Sequence, residues 1–188
     1  MLVVLELVKN LYYAMETEHL VTKLLVNEQV NNACSMCPAR LYEPINRKVI
    51  LGIGNTCAKI MFVLPNYDIT TKNKYKTLLD VLAKAYEKVT GFNMFEQVYT
   101  TRLIKCYTNS NYDIVKACTN FCISYLYTEI KVVRPENVVF FGNTYENYIK
   151  GGGKPFNNVI ECISPGVLFY DNQDTIKVFY EQLTEALR

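Results

Sequence analysis

Hydrophobic positions along the chain alternate between two rhythms. Leu5, Val8, Leu11, Tyr12, Met15, Leu20, Leu24 and Leu25 recur at spacings of three and four, which predicts one or two helices over residues 2–27. Residues 28–57 carry Cys34, Cys37, Pro38, Pro44, Gly52 and Gly54 and read as loop-rich. Residues 59–64, KIMFVL, form a short apolar run closed by Pro65, the pattern of a buried strand. Leu78, Leu79, Leu82, Ala85, Tyr86 and Val89 predict an amphipathic helix over 74–90, stopped by Gly91.

The alternation continues. The pattern predicts a strand over 97–104, a helix over 113–133, a strand over 137–141 ended by Gly142, and a short helix near 144–149. After the turn at Gly151-Gly152-Gly153 come a strand over 159–163, closed by Pro165-Gly166, and a last helix from about Asn172. Ile176, Phe179, Leu183 and Leu187 fall on one face of that helix. Strands alternating with helices imply a parallel sheet covered on both sides. The expected fold is α/β, a three-layer α/β/α sandwich around a four-stranded parallel sheet. Ligands of such sheets bind beyond the carboxyl ends of the strands, which singles out loops 64–73, 102–112, 142–145 and 163–168. There is no internal repeat or linker, so residues 1–188 read as a single domain.

Composition narrows the setting. Half of the residues are hydrophobic and a fifth are charged, as in ordinary globular proteins. The formal net charge of +2 neither demands nor excludes nucleic acid. The first twenty residues are apolar but interrupted by Glu6, Lys9, Glu16 and Glu18, which argues for a helix rather than a signal peptide. No uncharged run approaches membrane-spanning length, so no membrane partner is expected. Seven cysteines without a secretory pattern point to a reducing, cytoplasmic compartment, where clustered thiols more often hold metal than form disulfides. Abundant Tyr, Asn, Lys and Ile fit an AT-rich genome, such as that of a virus, and the compartment would then be the host cytoplasm.

Four cysteines carry the strongest chemical signal. Cys34 and Cys37 form C-x-x-C, which lets one segment grip a metal with two thiolates; Cys106 and Cys122 form a second, remote pair. Four such thiolates suit a [4Fe–4S] cluster or an all-thiolate zinc site. The text around them resembles the iron–sulfur branch of the uracil-DNA glycosylase superfamily. Cys37 is followed by Pro38, then by Gly52-Ile53-Gly54-Asn55 and the strand Ala58–Val63; a second strand ends in Lys105-Cys106. Cys122 opens the helical stretch that leads to Pro135 and a strand ending in Phe141-Gly142-Asn143. The similarity runs in order over about residues 20–187. It implies the family fold, a DNA partner, and a [4Fe–4S] cluster on Cys34, Cys37, Cys106 and Cys122, with zinc the runner-up. Cys118 lies one helical turn before Cys122 and is the alternative fourth ligand. Cys57 and Cys162 are expected to be ordinary buried thiols.

The family's chemical motifs are altered. Where it has Gly-Glu-x-Pro-Gly to position water, this chain has Leu64-Pro65-Asn66-Tyr67-Asp68. Asn66 or Asp68 could orient a water, although such residues more often cap a turn. No Phe follows to stack on a base; Tyr67 or Tyr75 could substitute, and Lys72, Lys74 and Lys76 could meet phosphates or simply form a solvated face. Arg102 stands where the family has its uracil-reading Asn, and a guanidinium has donors but no acceptor. Ser164-Pro165-Gly166 stands in place of the His-Pro-Ser that ends the fourth strand. The single histidine, His19, lies far away in the predicted N-terminal helix. Loss of one preorganised donor costs about 2.7–4 kcal/mol of transition-state stabilisation. Gly151-Gly152-Gly153-Lys154 lacks the pattern of a phosphate loop.

Three functions are consistent with this reading. The first is an iron–sulfur protein that binds DNA, or a protein partner in a replication or transcription complex, and has lost ordinary uracil excision. The alternative is an active glycosylase for uracil or a modified base, with Arg102, Asn66, Asp68 and Ser164 forming a changed pocket; Tyr67 and Asn143 are further candidates for contact with base or DNA. The third is a cluster-containing structural subunit without DNA contact.

Overall fold

A computed structural model of the chain describes Cys37 and residues 52–65, 77–105 and 112–188, with side chains from residue 118 in the last stretch. The predicted helices of residues 2–27 lie outside the described residues. Among the described residues five strands form one sheet: β1 (Ile53–Gly54), β2 (Ile60–Leu64), β3 (Val98–Arg102), β4 (Asn137–Phe141) and β5 (Val159–Cys162). Their order is β1-β3-β2-β4-β5. The helices are α1 (Leu78–Thr90), α2 (Met94–Gln97), α3 (Tyr112–Val133), α4 (Thr144–Lys150) and α5 (Gln173–Ala186), with a 3-10 turn at Pro165–Phe169.

The protein is thus α/β, but its sheet, among the described residues, is five-stranded and mixed rather than four-stranded and parallel. β2, β3, β4 and β5 run parallel, whereas β1 joins the outer edge of β3 antiparallel, with Ile53 opposite Thr100 and Gly54 opposite Tyr99. This two-residue strand is too short to carry a period-2 pattern, so the sequence rhythm does not announce it. Close approach makes it possible. Gly54 has φ +111°, and a Cβ there would overlap the Val98 carbonyl oxygen; a Cβ on Gly52 would overlap the Tyr99 ring. Asn55 N–H then donates to Val98 O at 3.2 Å, and Asn55 Nδ2 to Glu96 O at 3.0 Å.

Strand alternation sorts the side chains into two cores. Met61, Val63, Tyr99, Val138 and Phe140 point to one face, where they meet Cys118, Cys122, Leu126 and Val133 of α3 and Tyr148 of α4. Phe62, Leu64, Val98, Val139 and Phe141 point to the other, against Leu78, Leu82 and Ala85 of α1 and Phe179 and Leu183 of α5. Handedness explains the division. The connection from β2 to β3 moves one way along the sheet, and those from β3 to β4 and from β4 to β5 move the other. Right-handed crossovers therefore place α1 on one face and α3 and α4 on the opposite face.

Local signals set the boundaries. The Thr77 side chain accepts from Asp80 N–H at 3.2 Å while the Asp80 carboxylate accepts from Thr77 N–H at 2.9 Å, a capping box that starts α1. Asn172 caps α5 by accepting from Thr175 N–H at 3.0 Å. β3 is shorter than the predicted 97–104, because Asn93 caps a four-residue helix, α2, that absorbs Gln97. Leu103, Ile104 and Lys105 leave the strand but stay buried. The Thr77→Ala substitution is expected to cost about 1 kcal/mol of stability, read as a lower urea midpoint at unchanged slope.

Candidate functional site

The four parallel strands end level with one another: Leu64 lies opposite Arg102, Val63 opposite Phe140, and Phe141 opposite Cys162. The chain leaving β2 goes to the α1 face, while those leaving β3 and β4 go to the α3–α4 face. The end of β2 is therefore a topological switch point, the place where open α/β sheets form a crevice. Pro65, Arg102 and Gly142-Asn143 flank it.

Arg102 is half-buried at the end of β3, and the next residue, Leu103, donates its N–H to Leu64 O at 3.3 Å. Asn143 is exposed at the start of α4, and its side chain makes no capping hydrogen bond. Ser164 sits beyond β5 beside Gly142, where its Oγ accepts from Gly166 N–H at 3.2 Å and caps the 3-10 turn. That hydroxyl thus performs a turn-forming task. Asn66, Tyr67, Asp68, Lys72, Lys74, Tyr75 and Lys76 lie outside the described residues, as do Cys34 and Cys106. Among the described residues just beyond the four parallel strands there is no histidine and no carboxylate. These segments offer a cation, an amide and a turn-capping hydroxyl, which suits binding of an acceptor-rich group better than moving a proton.

The described cysteines divide by environment. Cys37, Cys118 and Cys122 are buried and belong to one core on the α3 face of the sheet. A thiolate cluster requires its ligands to converge, and shared burial in one core is as far as the described thiols go toward that. Among the described residues no group of three His, Cys, Asp or Glu forms a metal site; two members of the expected set lie outside them. Cys57 is exposed rather than buried as expected, because it sits in the turn after β1, where its N–H donates to Asn55 Oδ1 at 2.9 Å. Cys162 is buried at the end of β5, and burial pushes its thiol up to about 11.

On the same face of the sheet lies a polar network that the sequence pattern did not single out. Lys105 and Glu129 are each 1% exposed and form an ion pair. Glu129 Oε1 accepts from Gly52 N–H at 2.9 Å and from the Tyr99 hydroxyl at 3.3 Å. Oε2 accepts from Thr101 Oγ at 2.8 Å and from Lys105 Nζ, which also donates to Thr101 Oγ. Each carboxylate oxygen thus has two donors, the condition under which a buried charge is tolerable. Burial, with the Glu129 charge and hydrogen bond adding to it, pushes the Tyr99 hydroxyl well above the usual tyrosine range. A signal was present: a glutamate on the apolar stripe of a helix needs a buried cation, and Lys105 is the cation at the neighbouring strand end.

No known protein-family model matches the chain, and no curated protein sequence matches it. No helix among the described residues is long and apolar enough to cross a membrane.

Two outcomes follow. Glu129→Ala removes one partner of a buried pair and is expected to cost about 3–5 kcal/mol in denaturant unfolding, while replacing both partners, Lys105→Met with Glu129→Leu, is expected to be far milder. Alkaline pH gives the second. The Cys162 thiol is raised from its ordinary 9.0 to about 11, so folding favours its protonated form. That contribution is complete below pH 9 and is lost as pH rises toward about 11. The raised hydroxyls of Tyr86, Tyr99 and Tyr148 act in the same direction above pH 10. Unfolding free energy measured against pH should therefore decline from pH 9 upward, and Cys162→Ala should remove the earliest part of the decline.

Proposed function

We propose that the protein is a DNA-binding relative of the iron–sulfur uracil-DNA glycosylases that has lost ordinary uracil excision. The chemical character of the described strand ends carries this reading. An enzyme that releases a base needs donors and acceptors matched to the base edge and a preorganised group for the developing charges. Here a guanidinium, Arg102, stands where an amide would read uracil, and the Ser164 hydroxyl is engaged by its own turn. A cation beside a crevice of a parallel sheet suits phosphate, the sequence-independent part of DNA.

Burial of Cys37, Cys118 and Cys122 in one core supports a metal centre that Cys34 and Cys106 would complete. A [4Fe–4S] cluster there would act as a structural clamp between remote segments, with Cys34, Cys37, Cys106 and Cys122 as its ligands and Cys118 as the alternative to Cys122. Zinc on the same thiolates would clamp in the same way without colour.

The test uses metal-loaded protein, purified without oxygen, and oligonucleotides carrying uracil or modified bases. The expected outcome is salt-dependent binding with no abasic sites at uracil. Arg102→Ala should weaken binding about equally across sequences and lower the salt slope by about 1. Robust excision of uracil would overturn the reading. Absence of binding even at low salt would overturn the DNA assignment in favour of a protein partner.

A further inference from the structure

The connection between α1 and α2 leaves an aromatic ring in solvent. Phe92 is 63% exposed, yet its backbone is pinned on both sides. Gly91, just before it, has φ +76° and donates its N–H to Glu87 O at 2.7 Å, which closes α1. The Phe92 N–H donates to Thr90 Oγ at 3.1 Å. The next residue, Asn93, caps α2 by accepting from Phe95 N–H at 3.0 Å. A ring carried on a fixed backbone needs little further ordering to bind, the property of an interface anchor.

Beside this ring is a groove of about 510 Å³ between α1 and α2. Ala83, Met94 and Phe95 form its apolar walls, and Asp80, Lys84 and Glu87 stand exposed at its rim. A cavity of about 150 Å³ is enough for a benzene ring, so the groove has room for a phenyl side chain and the backbone that carries it. Phe92 precedes Asn93, which lines the groove, so knob and groove lie side by side on one surface. A two-fold axis satisfies both at once, because each chain offers what the other lacks. A foreign segment in the groove would instead leave Phe92 in water. The rim also suits self-association: it carries both signs of charge, so two identical rims can oppose carboxylates to Lys84.

We propose that the protein pairs with a second copy of itself through this face, the Phe92 ring of each chain entering the α1–α2 groove of the other. The residues involved come before β3, whereas Arg102 ends that strand, so the paired surface and Arg102 lie at opposite ends of it. The pairing uses no cysteine and requires neither metal nor DNA.

The experiment measures the mass of the full chain by sedimentation over a range of concentrations, in reducing buffer, with circular dichroism reporting the fold. Phe92→Ser removes the knob. Ala83→Tyr fills the groove and leaves the knob intact. Tyr170→Ser, an aromatic of equal 63% exposure beyond the carboxyl end of β5, is the control. The expected result is a wild-type dimer that dissociates on dilution. Phe92→Ser and Ala83→Tyr should each raise the dissociation constant at least about tenfold with the fold unchanged, and Tyr170→Ser should match wild type. A dimer that Phe92→Ser leaves intact would overturn the proposal. Should Ala83→Tyr not fold, Phe92→Ser decides alone, since its side chain lies outside the core. A wild type that is monomeric at every concentration would also overturn the pairing, leaving a foreign apolar segment as the occupant of the groove.

Discussion

The carboxylate of Glu129 is the point on which the α3 side of the molecule depends. It is buried, it is charged, and it has four donors from three separate stretches of chain. A buried ion pair adds little net stability compared with apolar packing of the same volume, but it is unforgiving of any arrangement that leaves one partner alone. That asymmetry gives it structural consequence. α3 has one rotation and one axial position in which Glu129 meets Lys105, and the edge segment has one position in which Gly52 N–H reaches the same carboxylate. The two glycines then have a shared purpose. Gly52 leaves room for the Tyr99 ring, whose hydroxyl joins the network, and Gly54 lets the chain turn back along β3.

The two faces of the sheet are divided between different tasks. The α1–α5 face is apolar and aromatic, with Phe62, Phe141 and Phe179 packed edge-on or tilted against one another. The α3–α4 face contains the charged network and the buried thiols Cys37, Cys118 and Cys122 in one core. Between the faces, the end of β2 is the topological switch point, flanked by Arg102 and Asn143. Arg102 at the end of β3 and the charged network in the α3 core are joined by one short segment in which Leu103, Ile104 and Lys105 are all buried.

The strands and helices were largely legible in the sequence because their signals are local. Residues 137–141 alternate between two buried faces and end at a glycine, and the structure has β4 at Asn137–Phe141. Asn172 marks a helix start through its own side chain, as the sequence pattern predicts. The departures have equally physical causes. β1 is two residues long and owes its place to a neighbour's carbonyl and ring rather than to its own pattern. Gln97 could extend a strand by periodicity, yet the Asn93 cap places it in α2. Cys57 was expected to be buried because thiols usually are, and its position in a tight turn exposes it. Ser164 was expected as a catalytic candidate, and only its partner, Gly166 N–H, reveals its turn-forming role.

The sequence by itself determined the order of strands and helices, the parallel core of the sheet and the chemical types at the strand ends, because periodicity, caps and residue identity act over a few positions. Tertiary structure decided which of these residues meet. The pairing of Lys105 with Glu129, the edge position of β1 and the common core of Cys37, Cys118 and Cys122 join segments far apart along the chain. Such contacts are selected by the cost of leaving a buried charge, amide or hydroxyl unsatisfied, and that cost exists only once the chain has closed around them.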